Sequence, residues 1–113
     1  MNDVDAEAWL TQEIHDLLDQ GPVGLYEFIW GLRGTSFGLT DDEAIRLSRR
    51  VADHLVRAGE AQIHAVQWPT MAIVEGPLEL TTLADPKNWS EGTSGPLMAL
   101  VPTHALSPGS ETD

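Results

Sequence analysis

The apolar residues in the first part of the chain recur with the period of an amphipathic α-helix. In residues 5–20 the leucine and isoleucine side chains fall on one helical face, and Gly21-Pro22 then ends the helix. Residues 22–33 repeat this spacing and predict a second helix, which Pro22 can start and which Gly34 ends.

A third helix, over residues 40–58, has the clearest boundaries in the sequence. Thr40 and Glu43 stand three residues apart just before an apolar-periodic segment, which matches a capping box. Gly59 follows the last periodic residue, where glycine commonly stops a helix. These signals predict a capped helix of about four to five turns.

The pattern changes after the third helix to short apolar runs that are typical of β-strands. Residues 61–68 alternate in part and end at a proline, and residues 71–74 form a second run. A turn is predicted at residues 75–77, and further strands at residues 78–82 and 97–101. The chain is therefore expected to be an α+β protein, with three N-terminal helices followed by a small antiparallel sheet.

The direct passage from the third helix into the first strand, between Leu39 and Val66, resembles a winged helix-turn-helix domain. The resemblance covers residues 8–82. It implies a winged-helix-like fold, a third helix that enters the DNA major groove in DNA-binding members, and a wing around residues 75–77.

Length and composition favour one small intracellular domain. With 113 residues, we expect a single domain over residues 1–102 and a flexible tail over residues 103–113. The sequence has no cysteine, which excludes disulfides and thiolate metal sites. It has no apolar run long enough to span a membrane, and its first residues are acidic, unlike a secretory signal. We therefore expect a cytoplasmic protein that does not bind membranes.

Charge is large and unevenly distributed. The net charge is −12, yet four of the six basic residues lie within residues 40–60. On a helix, Arg46, Arg50 and Arg57 share one stripe, with Arg49 beside it. This arginine stripe has two interpretations. It is either a solvent-facing surface stabilised by Asp42–Arg46 and Asp53–Arg57 ion pairs, or a surface that contacts a partner.

No catalytic or metal-binding motif is present, and we predict neither an enzyme nor a cofactor. Nucleotide-binding, hydrolase and zinc-protease motifs are all missing. His15 lies among acidic residues and is interpreted as a surface histidine. His54 and His64 flank the helix-to-strand turn, where they could meet, but we predict no metal site there.

Two functions fit these features. The first is a non-enzymatic, acidic protein-binding module, resembling an immunity protein, an antitoxin or an adaptor, that engages a basic macromolecular partner. The second is a DNA-binding transcriptional regulator, acting as a dimer, that uses the third helix. The expected protein-binding residues are Asp3, Asp5, Glu7, Glu13, Asp16, Asp19 and Trp89, and the expected DNA-binding residues are Arg46, Arg49, Arg50 and Arg57. Trp30 follows apolar neighbours and is expected in the core.

Overall fold

Three helices pack against a four-stranded antiparallel sheet, which confirms the predicted α+β class. The computed structural model describes residues 2–67, 70–89 and 96–106. The helices are α1 (Asn2–Leu18), α2 (Leu25–Arg33) and α3 (Asp41–Arg57), the strands are β1 (Val23–Gly24), β2 (Ala61–Gln67), β3 (Ala72–Leu78) and β4 (Leu97–Pro102), and short 3₁₀ turns cover Leu80–Ala84, Pro86–Trp89 and Thr103–Leu106.

The order of elements differs from the prediction because β1 lies between α1 and α2. Val23 pairs with Leu100 of β4 instead of joining the second helix. The helix starts at Leu25 rather than Pro22, and the Gly24 N–H donates to Glu27 Oε2 over 2.8 Å, which caps the delayed start. The sequence of elements is therefore not a clean run of helices followed by a sheet.

The capping box predicted for α3 is confirmed. Thr40 Oγ1 accepts a hydrogen bond from the Glu43 N–H over 3.1 Å, and Glu43 Oε1 accepts one from the Thr40 N–H over 2.8 Å. Gly59 follows the helix with a φ of 79°, in the left-handed region that glycine tolerates best. The capping box thus begins α3 and Gly59 ends it, as the sequence predicts.

The described strands have the order β1-β4-β2-β3, so β4, the last of them in sequence, lies inside the sheet and β3 lies at an edge. Leu100 of β4 and Ile63 of β2 contribute to the main core beneath the helices. Alternate residues of β4, such as Ala99, join a second apolar cluster that contains Tyr26 and Val66. Because neighbouring strand residues point to opposite faces, the sheet is packed on both faces.

The turn predicted at residues 75–77 is wrong, since these residues lie within β3. The β2–β3 connection comes earlier, where the Met71 N–H donates to the Gln67 carbonyl over 2.6 Å. A Cβ at Gly76 would meet the imidazole of His64, so the glycine here permits close approach of strand and side chain.

The structure also bears on the strand predicted over residues 78–82 and on the tail predicted over residues 103–113. The strand predicted over residues 78–82 is wrong, because Leu80–Ala84 is a 3₁₀ turn. The tail predicted over residues 103–113 begins with the 3₁₀ turn Thr103–Leu106, and the remainder lies outside the described residues. No helix in the described part of the chain has the length and apolar character needed to cross a membrane.

Candidate functional site

The arginines of α3 were predicted to pair with acids one helical turn earlier, and one of the two predicted pairs forms. Arg57 Nε lies 2.9 Å from Asp53 Oδ2. For Arg46, no carboxylate of the described residues comes within the 4.0 Å of an ion pair, so the predicted Asp42–Arg46 pair is wrong.

Arg50 pairs with another helix instead of with its own. Its Nε donates to Glu7 Oε1 of α1 over 3.1 Å, with both side chains well exposed to solvent. Arg49 is exposed and, within the described ranges, forms no ion pair. Two of the four arginines predicted to contact DNA, Arg46 and Arg49, are therefore exposed and form no ion pair with the described residues.

An open cavity of about 360 Å³ lies beside these arginines. Arg46, Arg49 and Arg50 line one side, and Leu80 and Leu83 of the first 3₁₀ turn line the other. The arrangement can attract an anion, while Asp53 in the same lining opposes one.

The acids predicted to bind a partner do not form one uniform surface. Glu7 is engaged by Arg50, and Glu13 is half-buried, whereas other acids of α1 are exposed to solvent. Gln12 Nε2 donates to Asp16 Oδ1 over 2.9 Å on this exposed side. The exposed acids of the predicted set are Asp5, Asp16 and Asp19, and the Asp3 side chain lies outside the described residues.

The two tryptophans lie in different places from those expected of partner anchors and core residues. Trp89 was predicted either as an exposed anchor or as a residue that caps the edge of the core, and it is only 3% exposed, with its Nε1–H donating to the Leu83 carbonyl over 2.9 Å and its ring edge-on to Phe28. Trp30, predicted in the core, is 50% exposed and rests edge-on against Tyr26. Trp89 is therefore unavailable as a partner anchor, and Trp30 is available.

The outer edge of β3 is the feature that sequence reasoning missed. Ile73 and Val74 are 44% and 52% exposed, and β3 pairs with β2 on one side only among the described strands. The alternation of buried and exposed residues that usually identifies a strand is missing here, because residues 72–77 are all exposed.

The two histidines that flank the α3–β2 turn lie in different environments. His54 is exposed on α3, whereas His64 is buried in the sheet against Gly76.

No family model, curated protein or solved structure matches the chain. Its function must therefore be inferred from the geometry of these surfaces.

Proposed function

We propose that the chain is a non-enzymatic protein-binding module that takes a basic partner along the open edge of β3. The observation that carries this proposal is the exposure of Ile73 and Val74 on a strand that, among the described strands, pairs on one side only. Such an edge is a template for pairing with another chain, and most proteins cover or blunt it.

Trp30 extends the same surface. Its ring centroid lies 5.1 Å from that of Tyr26, and Tyr26 belongs to the apolar cluster that contains Val66. Val66 is in turn the register partner of Ile73 on β3. Trp30 and the open strand therefore border one cluster, and an exposed tryptophan of this kind is a frequent interface anchor.

The charge of the chain favours a basic partner. The net charge of −12 includes Glu75 on β3 and Glu79 directly after it, both exposed. Exposed acids on α1 add a negative field around the same small body. Complementary charge accelerates association, so a basic protein is the favoured partner, and the absence of cysteine fits a cytoplasmic setting.

The test places a lysine on the open edge and compares it with the same charge change elsewhere. Val74→Lys adds a cation where the basic partner is expected, and Ala58→Lys adds one at an exposed position after α3. We expect a basic protein to be retained by the wild type and by Ala58→Lys and to be lost with Val74→Lys, both in capture and in titrations with the purified partner. Equal retention by Val74→Lys, or no basic partner at all, would contradict the proposal.

A second candidate is a winged-helix DNA-binding regulator, and it is favoured by Arg46 and Arg49 on α3, which are exposed and form no ion pair in the described part of the chain. The order of α1 through β3 supports this finer description of the fold. The test is a fluorescence-anisotropy titration of duplex DNA at about 50 mM salt, where phosphate contacts are strongest. Binding that Arg46→Ala/Arg49→Ala weakens and Arg57→Ala leaves intact would establish this function over the first.

A further inference from the structure

A crevice of about 340 Å³ lies where three segments distant in sequence meet. The end of α1 contributes His15 and Asp19, the α3–β2 turn contributes Glu60, and the 3₁₀ turn after β4 contributes His104. Two imidazoles and two carboxylates thus face one solvent-accessible space, and these are the side chains that bind divalent transition metals.

The best-defined pair of donors already has a spacing suited to one ion. His15 Nε2 lies 3.1 Å from Glu60 Oε1. Bonds of about 2.0–2.2 Å from one Zn²⁺ to both atoms would enclose an angle of roughly 90–100°, close to ordinary coordination angles. The donor atoms of His15, Asp16 and Asp19 also lie within 4.8 Å of one another.

The two aspartates on α1 differ in their surroundings. Asp16 accepts a hydrogen bond from Gln12 over 2.9 Å and does not line the crevice. Asp19 lines the crevice and follows His15 by four residues, so the two side chains extend from the same side of the helix end. Asp19 is therefore the carboxylate that completes the donor set.

The crevice has a second polar feature that the protein leaves without a partner. Thr103 lines it, and the Thr103 hydroxyl oxygen is buried with no hydrogen-bond partner among the described residues. Its backbone N–H donates to the Glu60 carbonyl over 3.0 Å, which ties the segment carrying His104 to the turn carrying Glu60. This hydrogen bond helps to hold the three segments of the crevice in place.

We propose that this crevice is a binding site for a divalent transition-metal ion of the Zn²⁺ class, coordinated by His15, Asp19, Glu60 and His104. Two imidazole donors select this class over Ca²⁺ and Mg²⁺, which prefer oxygen ligands alone. The ion would link α1, the α3–β2 turn and the end of β4, and its binding would therefore stabilise the folded state. The site is independent of the β3 edge.

The first test is calorimetric titration of the untagged full-length chain with ZnCl₂. We expect one ion per chain for the wild type, and binding at least ten times weaker for His15→Ala/His104→Ala. His54→Ala is the matched control, because His54 is an exposed histidine outside the crevice. MgCl₂ and CaCl₂ should give no comparable binding.

The second test measures metal coordination by absorption spectroscopy and protein stability by the melting temperature. Co²⁺ should give visible d–d absorption with the wild type and His54→Ala but not with the double variant. Zn²⁺ at about 100 times its Kd should raise the melting temperature by on the order of 10 °C in the same two proteins. Unchanged Zn²⁺ binding in the double variant, or equal loss in His54→Ala, would overturn the proposal.

Discussion

At the scale of single residues, Trp89 acts as a packing element and Trp30 as a surface residue. The Trp89 indole is enclosed by Phe28 and held by the Leu83 carbonyl, which fixes the 3₁₀ turns beside the helices. Their different burial cannot be predicted locally, because both tryptophans have mixed neighbours in sequence. It depends on which residues distant in sequence pack against each ring.

Trp89→Phe should lower the free energy of unfolding by about 1–3 kcal/mol, because the substitution leaves the Leu83 carbonyl without its donor and removes part of a buried ring. Urea unfolding followed by circular dichroism measures the loss. Trp30→Phe is the control and should change the unfolding free energy by less than about 0.5 kcal/mol, since Trp30 is half exposed. Equal losses in both variants would contradict these assignments.

Gly76→Ala should be strongly destabilising, at a cost of about 2 kcal/mol or more, for two reasons that act together. The residue has a φ of 135°, a conformation that residues with a side chain rarely adopt. The added methyl group would also meet the His64 ring. Gly59→Ala, which has a positive φ but open space around it, should cost less, and thermal melts of the two variants measure the difference.

At the scale of elements, α3 is the one best predicted, because its boundaries depend on nearby residues. Thr40, Glu43 and Gly59 form or permit the caps within a few positions of one another. In contrast, β1 is two residues long and becomes a strand only because Val23 meets Leu100, far along the chain. The residues near Val23 in sequence do not show that it will pair with Leu100, so a local pattern cannot predict this strand.

The proposed metal site could not be predicted for the same reason. His15 and Asp19 are close in sequence and resemble any polar helix end. Glu60 and His104 join them only when β2 and β4 pair and bring both segments to the end of α1. The sequence therefore contained the donors, and the sheet topology brought them together.

The capping box makes α3 sensitive to acid. Hydrogen bonds from the Thr40 backbone N–H and then from its hydroxyl, with a smaller effect of nearby Arg46, lower the pKa of Glu43 below its ordinary value of 4.5. A lowered pKa in the folded state adds stability that is complete above the ordinary value and is lost as pH falls through the lowered one.

Glu43→Gln keeps the cap acceptor but removes the titration, so it should reduce the acid dependence of unfolding. We expect the stability advantage of the wild type over Glu43→Gln to shrink as pH falls from 6 to about 3. Urea midpoints across this range measure the difference, with exposed Glu79→Gln as the control. If the difference in urea midpoint between the wild type and Glu43→Gln did not change with pH, the charge of the Glu43 carboxylate would not contribute to the stability of the helix cap.

At the scale of the whole molecule, repulsion among acids should outweigh the exposed ion pairs. The net charge is −12, and Arg50–Glu7 and Arg57–Asp53 are both solvent-exposed pairs of small energetic value. From about 10 to about 100 mM NaCl the Debye length falls from about 30 to about 10 Å, which screens that repulsion. The urea midpoint of the chain should therefore rise with salt.

Neutralising exposed acids of α1 provides the comparison. Asp5→Asn/Asp16→Asn should have a higher midpoint in low salt and a weaker salt dependence than the wild type, with chelator present to exclude metal effects. KCl should act like NaCl, since the effect depends on ionic strength. A midpoint that falls with salt would indicate that ion pairs such as Arg50–Glu7 dominate the electrostatics.

The position of β4 has a consequence for synthesis of the chain. Residues 97–102 are synthesised after β1, β2 and β3, yet they lie between β1 and β2 in the sheet. While the chain emerges from the ribosome, both neighbouring strands lack their shared partner, and the apolar faces of the helices have no completed sheet to cover them. The complete sheet can therefore form only after residue 102 has been synthesised, and a stop codon before residue 97 would remove the centre of the sheet rather than its edge.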